Sequence, residues 1–139
     1  MAFSSGNAAT SAVLQALDPG DHVIASVDTY YGTRAVLTGA LQRWGLQSDF
    51  VDLADPGALA DALRPNTRLI WIETPSNPRL QVIDIAAVAR VAHAAGARVV
   101  CDNTFATPIL QQPLALGADL VVHSTTKYIG EYELEWGEG

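Results

Sequence analysis

The chain has 139 residues, of which 49% are hydrophobic, and this is enough apolar material for one core of ordinary domain size. Its formal net charge of −7 argues against nucleic acid or an anionic membrane surface as the main partner. A single cysteine excludes an internal disulfide framework, and the sequence contains neither a run of about 18 apolar residues nor a signal-peptide pattern. These features predict a soluble, cytoplasmic chain with one domain.

Basic and acidic residues are unevenly distributed along the chain. Seven of the eight basic residues are arginine, and the remaining one, Lys127, is the only lysine. Residues 1–130 contain 8 basic and 11 acidic residues, a formal net charge of −3, whereas residues 131–139 contain four glutamates and no basic residue. This break in composition predicts a domain over 1–130 followed by an atypical acidic tail over 131–139.

Hydrophobic patterning and chain-breaking residues predict helices and strands in alternation. Residues 69–72 are continuously apolar, which is typical of a strand covered on both faces. Ile85, Val88, Ala89 and Ala92 recur with the spacing of one helix face. In chain order we predict helix 7–17, strand 22–26, helix 31–44, strand 48–52, helix 55–63, strand 69–72, helix 84–95, strand 97–101 and strand 120–122.

The alternation predicts an α/β fold with three layers, in which a mainly parallel sheet lies between helices on both faces. In such sheets, ligands bind beyond the carboxyl ends of the strands. Polar residues follow four of the predicted strands, at 28–30, 74–77, 102–104 and 124–127. We therefore expect a binding site at this edge of the sheet.

Two charged side chains at this edge could each bind a ligand, but each also has an interpretation that involves no ligand. Lys127 follows three hydroxyl residues and could hold a phosphate or form a Schiff base with an aldehyde cofactor, although most lysines are simply exposed to water. Asp102 ends a buried strand and needs a cationic partner or several hydrogen-bond donors to stay charged. A protonated pyridine nitrogen is one such partner, and a turn or helix cap is the alternative.

The other candidate groups are less specific. The segment 4–7, Ser-Ser-Gly-Asn before an alanine-rich helix, could bind an anion through its free amides or could only cap the helix. Tyr30 could stack on a flat ring or pack against its neighbours. The three histidines and Cys101 lack the spacing of a metal site, and Cys101 is expected to be an inert core residue. The sequence contains no G-x-G-x-x-G or P-loop pattern for a nucleotide.

Five stretches carry a stronger signal, because their order, spacing and context fit one family of enzymes. They are SSGNAAT at 4–10, DTYYGT at 28–33, ETPSNP at 73–78, DIAAVARVAHAAGARVVCDNTFATP at 84–108 and LALGADLVVHSTTKYIG at 114–130. Over essentially residues 3–130 the chain resembles the transsulfuration (Cys/Met metabolism) family of enzymes that depend on pyridoxal 5′-phosphate (PLP). This family includes cystathionine γ-synthase, cystathionine γ-lyase and methionine γ-lyase. The resemblance implies the large domain of the fold-type I PLP-dependent transferases.

The resemblance implies roles for individual residues. Lys127 matches the lysine that holds PLP as a Schiff base and later moves protons. Tyr30 matches a tyrosine that stacks on the cofactor ring and takes part in proton transfer. Asp102 matches the carboxylate that pairs with the pyridine nitrogen and so keeps the ring an electron sink. The catalytic residues implied in this way are Lys127 and Tyr30.

Five further residues are implied to hold the cofactor. The backbone amides of Gly6 and Asn7 and the hydroxyls of Ser124 and Thr126 match groups that bind its phosphate. Asn77 matches an asparagine near its 3′-oxygen. The family commonly has methionine where Asn7 stands, but the contact is made by the backbone amide. No metal ion is implied.

The resemblance also implies an activity, namely γ-elimination or γ-replacement on sulfur amino acids or activated homoserine. The implied partner is a small-molecule amino-acid substrate, without nucleic acid or membrane, and full-length relatives are homotetramers whose active sites are shared across a dimer. Their N-terminal arm and their C-terminal substrate-binding domain have no match here, so we expect a fragment of the cofactor domain. Two alternatives stay open: a truncated, catalytically incompetent PLP-binding module, or, less favoured, an unrelated α/β nucleotide-binding domain.

Overall fold

The computed structural model describes residues 1–130 and shows one sheet in which all neighbouring strands pair in parallel. Its strands are β1 (His22–Ser26), β2 (Gln47–Val51), β3 (Thr67–Glu73), β4 (Arg98–Asp102) and β5 (Leu120–Val122). Across the described part of the sheet the order is β2-β1-β3-β4-β5.

Helical segments connect the strands. The α-helices are α1 (Gly6–Leu14), α2 (Tyr31–Val36), α3 (Gln42–Trp44), α4 (Pro56–Ala62), α5 (Ile85–Ala94) and α6 (Thr107–Leu110). A π-helical segment, Leu37–Leu41, joins α2 to α3, and a 3₁₀ helix, Pro113–Leu116, precedes β5. None of the helices within residues 1–130 is long and apolar enough to cross a membrane.

Alternate residues of the central strands face two separate hydrophobic cores. On one face, Ile24 and Ile70 are fully buried with apolar residues of α4 and α5. On the other face, Val23 and Trp71 are fully buried with Leu14 of α1 and with apolar residues of the π-helical segment. The predicted three-layer α/β/α architecture is therefore confirmed, and the described sheet is entirely parallel.

Short polar side chains begin three of the helices. Ser5 Oγ accepts a hydrogen bond from the backbone N–H of Ala8 at 3.1 Å, at the start of α1. Asp55 accepts from the N–H of Gly57 at 2.9 Å, and Asp84 caps α5 in the same manner. These bonds satisfy amides that the first helical turn leaves free. The predicted helix starts at 7, 55 and 84 each lie one residue from the observed start.

The predicted helix over 7–17 ends earlier than expected, at Leu14. The N–H groups of Ala16 and Leu17 bond to carbonyls three residues back, those of Val13 and Leu14, at 3.3 Å. Bonds of this spacing tighten the last turn of a helix. The chain therefore leaves the α-helix three residues before the predicted end and continues as tight turns.

The predicted helix over 31–44 is helical throughout but is not one α-helix. The hydroxyl of Thr38 donates to the backbone carbonyl of Arg34 at 2.9 Å. Such a bond competes with the regular hydrogen-bond ladder of a helix. The π-helical segment follows at this point, and both Leu37 and Leu41 remain buried in the core that it covers.

The remaining differences from the predicted elements are small. The sequence does not predict α6 or the 3₁₀ helix, each of which has four residues with a proline in its first turn. Predicted strand bounds differ from the observed bounds by at most two residues, and β3 extends as far as Glu73. Cys101 is fully buried, as predicted. The predicted acidic tail over 131–139 lies outside the described residues.

The order of the strands changes direction at β1. The chain passes from β1 outward to β2, returns to β3 on the other side of β1, and continues outward through β4 to β5. At such a switch point the connections leave neighbouring carboxyl ends in opposite directions, which opens a crevice between them. The polar residues that follow β1 and β3 are therefore placed on either side of this crevice.

Replacing Ile70 with alanine should destabilise the fold, because this side chain is fully buried under α5 and α4. We expect a loss of about 2–5 kcal/mol in the free energy of unfolding, measured by urea denaturation. Ile109→Ala is the matched control, because Ile109 is 88% exposed. Its cost should stay below about 0.5 kcal/mol. Equal losses in the two variants would contradict the described core.

Candidate functional site

A cavity of about 560 Å³, here called the edge cavity, opens at the carboxyl ends of the strands. Its lining comes from the N-terminus of α1, the loop after β1, the ends of β3 and β4, and the segment after β5. The structure brings the candidate residues together around this cavity, and the role of each stays a prediction. The predicted residues that line the cavity are Gly6, Asn7, Tyr30, Asn77, Asp102, Ser124, Thr126 and Lys127.

One end of the edge cavity is rich in amide and hydroxyl groups. Gly6 begins α1, whose first amides are free and lie at the positive end of the helix dipole. A Cβ atom on Gly6 would lie 3.1 Å from the Cβ and Oγ atoms of Ser124, so the backbone of α1 closely approaches the segment after β5. The hydroxyls of Ser124 and Thr126 are 3.1 Å apart. This combination suits a phosphate group.

Asp102 lies at the end of β4 with its carboxylate held by one neighbour. Thr104 donates to Oδ1 of Asp102 from its hydroxyl at 2.5 Å and from its backbone N–H at 3.1 Å. Burial raises the pKa of Asp102, and the two bonds from Thr104 act against that rise. None of the ion pairs among residues 1–130 includes Asp102. A cationic group in the cavity would therefore stabilise its charged form.

Glu73 is a further acidic residue of the edge cavity, and the sequence pattern alone does not identify it as a site residue. It ends β3, pairs in register with Asp102 of β4, and is only 5% exposed. Its Oε2 atom accepts a hydrogen bond from the backbone N–H of Tyr30 at 2.6 Å. Burial raises the pKa of Glu73 to about 7; the Tyr30 amide opposes this rise, and the charge of Asp102 adds to it.

Tyr30 and Asn7 both lie against a glycine. A Cβ atom on Gly32 would meet Cε1 of Tyr30, and it would lie 2.7 Å from Oδ1 of Asn7. A larger residue at this position would therefore displace the tyrosine ring or the asparagine. Tyr30 is itself 45% exposed, and its ring lines the edge cavity. The ring is thus available to a flat ligand in the cavity.

Lys127 lies in the turn that follows β5. Its backbone N–H donates to the carbonyl of Ser124 at 3.2 Å. This bond holds the turn beside the end of the cavity that is rich in amides and hydroxyls. Gly130 lies close to the backbone of the same segment, because a Cβ atom there would collide with the carbonyl oxygen of Thr125. Lys127 is exposed, as most lysines are, but it also lines the edge cavity. Its position, rather than its burial, distinguishes it from an ordinary surface lysine.

A model of one enzyme family, described as Cys/Met metabolism PLP-dependent enzyme, matches residues 1–133. The chain belongs to this family. The family resemblance that the five sequence stretches carry is thereby confirmed.

Individual members of the family are closely similar to this chain. The cystathionine gamma-synthase of Mycobacterium tuberculosis is 55% identical over 130 residues, covering 93% of this chain and 34% of that protein. The cystathionine gamma-lyase of Bacillus subtilis is 50% identical over 129 residues, covering 93% of this chain and 34% of that protein. The crystal structure of metB from Corynebacterium glutamicum matches with a TM-score of 0.89 and 47% identity, covering 91% of this chain and 33% of that one. The chain spans about a third of the length of these three relatives.

PLP is the cofactor of the family, and the edge cavity offers a suitable group for each part of this molecule. The close approach of Gly6 to Ser124 leaves free amides and hydroxyls for a phosphate. The buried carboxyl group of Asp102 suits a protonated pyridine nitrogen. Tyr30 presents a partly exposed ring, and Lys127 carries the only side-chain primary amine of the chain. The residues present therefore fit PLP.

Two polar residues of the site, Glu73 and Thr104, are assigned no role from the sequence, although Thr104 belongs to the polar cluster 102–104. Both carry the signal that identifies Asp102, because each is a polar residue at or just beyond the end of an apolar strand. Their importance comes from contacts with Tyr30 and Asp102, which single-sequence patterns do not show. The cavity is also lined by residues to which the family resemblance assigned no role: Ser5, Thr10, Phe105 and Tyr128.

The histidines and the cysteine lie outside the edge cavity. His22 is buried and shares a 2.8 Å hydrogen bond with Thr67, and His93 pairs with Asp119 at 2.9 Å. Burial raises the pKa of the Cys101 thiol to about 12, so the thiol stays neutral in the core. Within the described part of the chain, no group of three or more of these ligand types could hold a metal ion.

Glu73→Gln should change how stability depends on pH. The folded chain keeps a proton on Glu73 up to a pKa of about 7, whereas in the unfolded chain the carboxyl group loses its proton near the ordinary glutamate pKa of 4.5. The folded state therefore binds more protons in this window, and ionisation of Glu73 lowers wild-type stability as pH rises, by up to about 3 kcal/mol. Urea unfolding at pH 5, 6, 7 and 8 should show the Glu73→Gln variant gaining stability relative to wild type as pH rises. A difference in the free energy of unfolding that stays constant across this range would contradict the raised pKa of Glu73.

Proposed function

We propose that this chain forms the cofactor-binding core of a PLP-dependent transsulfuration enzyme, with Lys127 as its Schiff-base lysine. The reaction would be γ-elimination or γ-replacement on a sulfur amino acid or an activated homoserine. One observation carries the proposal: the only lysine of the chain lines the same cavity as the buried Asp102, the Tyr30 ring and the N-terminus of α1. The relatives named as cystathionine gamma-synthase and cystathionine gamma-lyase support the substrate class.

The residues of the cavity would hold the cofactor at its phosphate and at its pyridine nitrogen. The amides of Gly6 and Asn7 and the hydroxyls of Ser124 and Thr126 would bind its phosphate. Asp102, oriented by its hydrogen bonds from Thr104, would keep the pyridine nitrogen protonated. When bound, PLP supplies an electron sink for negative charge that develops on the substrate carbon.

Two residues would act on protons, and one would orient the ring. Lys127 would accept and return a proton at its Nζ atom, because an amine freed beside the substrate carbon can act as a base. The Tyr30 ring would stack on the cofactor, and its hydroxyl would take part in proton transfer. The side chain of Asn77 would donate to the cofactor's 3′-oxygen. These assignments combine general acid–base and covalent catalysis.

The second candidate function is a module that binds PLP without turnover. Two observations favour it for the 139-residue chain by itself. The chain spans about a third of the length of its named relatives. Among the described residues that line the edge cavity there is no arginine, the side chain best suited to bind a substrate carboxylate through two hydrogen bonds.

For the whole protein we propose a small amino-acid substrate, a cytoplasmic location and a homotetramer with sites shared across a dimer.

The covalent attachment is tested by incubating the chain with PLP, reducing it with borohydride and mapping the labelled peptide. We expect one label per chain, on Lys127, and none on the Lys127→Arg variant, which keeps the positive charge but lacks a primary amine. The N-terminal amine of Met1 is the only other primary amine of the chain. A label at Met1, or no cofactor absorbance at saturating PLP, would show that the assignment of Lys127 is wrong.

We expect the 139-residue chain by itself to have little or no activity, because a substrate carboxylate lacks the clamp that orients the reacting carbon. The assays are α-keto acid release from cystathionine, homocysteine or methionine, and cystathionine formation from activated homoserine and cysteine. A full-length family member is the positive control. Turnover of about 1 per second or faster would show that the cavity is complete as described.

A further inference from the structure

Glu73 is a carboxyl group of the edge cavity to which the proposed function gives no role. It lies at the end of β3 and is 5% exposed. Burial of a carboxyl group costs free energy unless hydrogen bonds compensate for it. Glu73 accepts such a bond from the backbone N–H of Tyr30 at 2.6 Å, and the backbone of Asn77 and the side chain of Thr29 also stabilise its charged form. A buried acid is thus joined to the backbone of a cofactor-facing residue.

This bond is made at the N-cap, the residue directly before the first residue of α2. Tyr30 is the N-cap residue of α2, and its own side chain makes no capping hydrogen bond. The carbonyl of Tyr30 accepts the N–H of Arg34 at 3.1 Å, which is the first bond of the helix. Glu73 therefore holds the peptide from which α2 begins, and a negative charge on Glu73 lies at the favourable end of that helix.

The Tyr30 ring depends on its backbone for its position. Tyr30 is 45% exposed, so burial does not hold the ring. Gly32 contacts the ring, but it belongs to α2 and moves with the same backbone. Among the hydrogen bonds of residues 1–130, the one that joins Tyr30 to a strand of the sheet is made to Glu73. A change at Glu73 should therefore move the ring.

We propose that Glu73 is a positioning residue for Tyr30: by binding the Tyr30 amide, its carboxyl group fixes the start of α2 and the place of the tyrosine ring in the edge cavity. The inference rests on the proposed function only in that the ring is assigned there to the cofactor. In this role Glu73 acts through the backbone of Tyr30.

Charged and titratable groups approach Glu73 from several elements. Asp102 of β4 is its direct register partner, and the cavity-lining residues of α1 carry no titratable side chain. Because burial and Asp102 raise the pKa of Glu73 to about 7, the charge beside the Tyr30 amide changes in the neutral range. The other titratable groups at this edge are Tyr30 itself, Cys101 of β4, His123 after β5, Lys127 and Tyr128, and the ion pair of Arg79 with Asp28 at 3.4 Å.

The first test uses NMR on the chain without PLP and follows the Tyr30 amide proton from pH 5 to 9. In wild type we expect its chemical shift to titrate with a midpoint near the Glu73 pKa of about 7. In Glu73→Gln, which keeps an oxygen acceptor without a charge, the amide should stay bonded and lose this titration. In Glu73→Ala it should lose the bond, and the Gly32 Hα signals should lose the ring-current shift from Tyr30.

A matched control comes from the opposite end of the sheet. Asp119 accepts the N–H of Val99 at 2.7 Å, so it also binds a strand amide through a carboxylate. Asp119→Asn should leave the Tyr30 and Gly32 signals unchanged. The proposal would be overturned if the Tyr30 and Gly32 signals of Glu73→Ala were the same as in wild type. It would also be overturned if the Tyr30 amide of Glu73→Gln still titrated.

The second test measures the dissociation constant of PLP by absorbance titration. Loss of the positioning bond in Glu73→Ala should weaken PLP binding about tenfold, and Glu73→Gln should restore binding to within about threefold of wild type. Asp119→Asn should bind as wild type does. Equal affinities in Glu73→Ala and wild type would count against the proposal. If wild type itself binds no PLP, the proposed function fails, and the NMR test still decides the role of Glu73.

Discussion

Parallel pairing of β3 with β1 on one side and β4 on the other brings three carboxyl ends to the same edge of the sheet. Neighbouring strands lie roughly 5 Å apart, so residues at these ends come within reach of one another although they are distant in sequence. Tyr30, Glu73 and Asp102 are brought together in this way. The helices and both cores serve to hold this register, and the chemistry of the edge cavity depends on it.

The electrostatic character of the cavity follows from the same register. Glu73 and Asp102 are direct partners on adjacent strands, and burial raises the pKa of both. Two such groups are costly to ionise together, since like charges at short range oppose each other. The charge of either group therefore opposes ionisation of the other. A cationic ligand that meets Asp102 would offset the cost of burying its charge.

The sequence predicts the layers of the fold and the edge of the sheet at which the candidate residues lie, because the relevant signals are local. Apolar runs mark buried strands, and polar residues directly after them mark the edge of the sheet, as for Asp102 and Lys127. Glu73 carries the same local signal, but its contact is with Tyr30, 43 residues earlier in the chain. The π-helical segment is not predicted either. The Thr38 hydroxyl within it donates to the Arg34 carbonyl, a contact that the hydrophobic pattern does not show.

The close approach of Gly6 to Ser124 joins the first helix of the described chain to the segment after its last strand. The end of the cavity that is rich in amides and hydroxyls therefore depends on a contact of long sequence separation, and it is complete only when the chain between these two segments has folded. A ligand that bridges α1 and this segment would bind the folded chain and not the unfolded one. Its binding free energy would be added to the stability of the whole domain, in proportion to the logarithm of its concentration once sites are saturated.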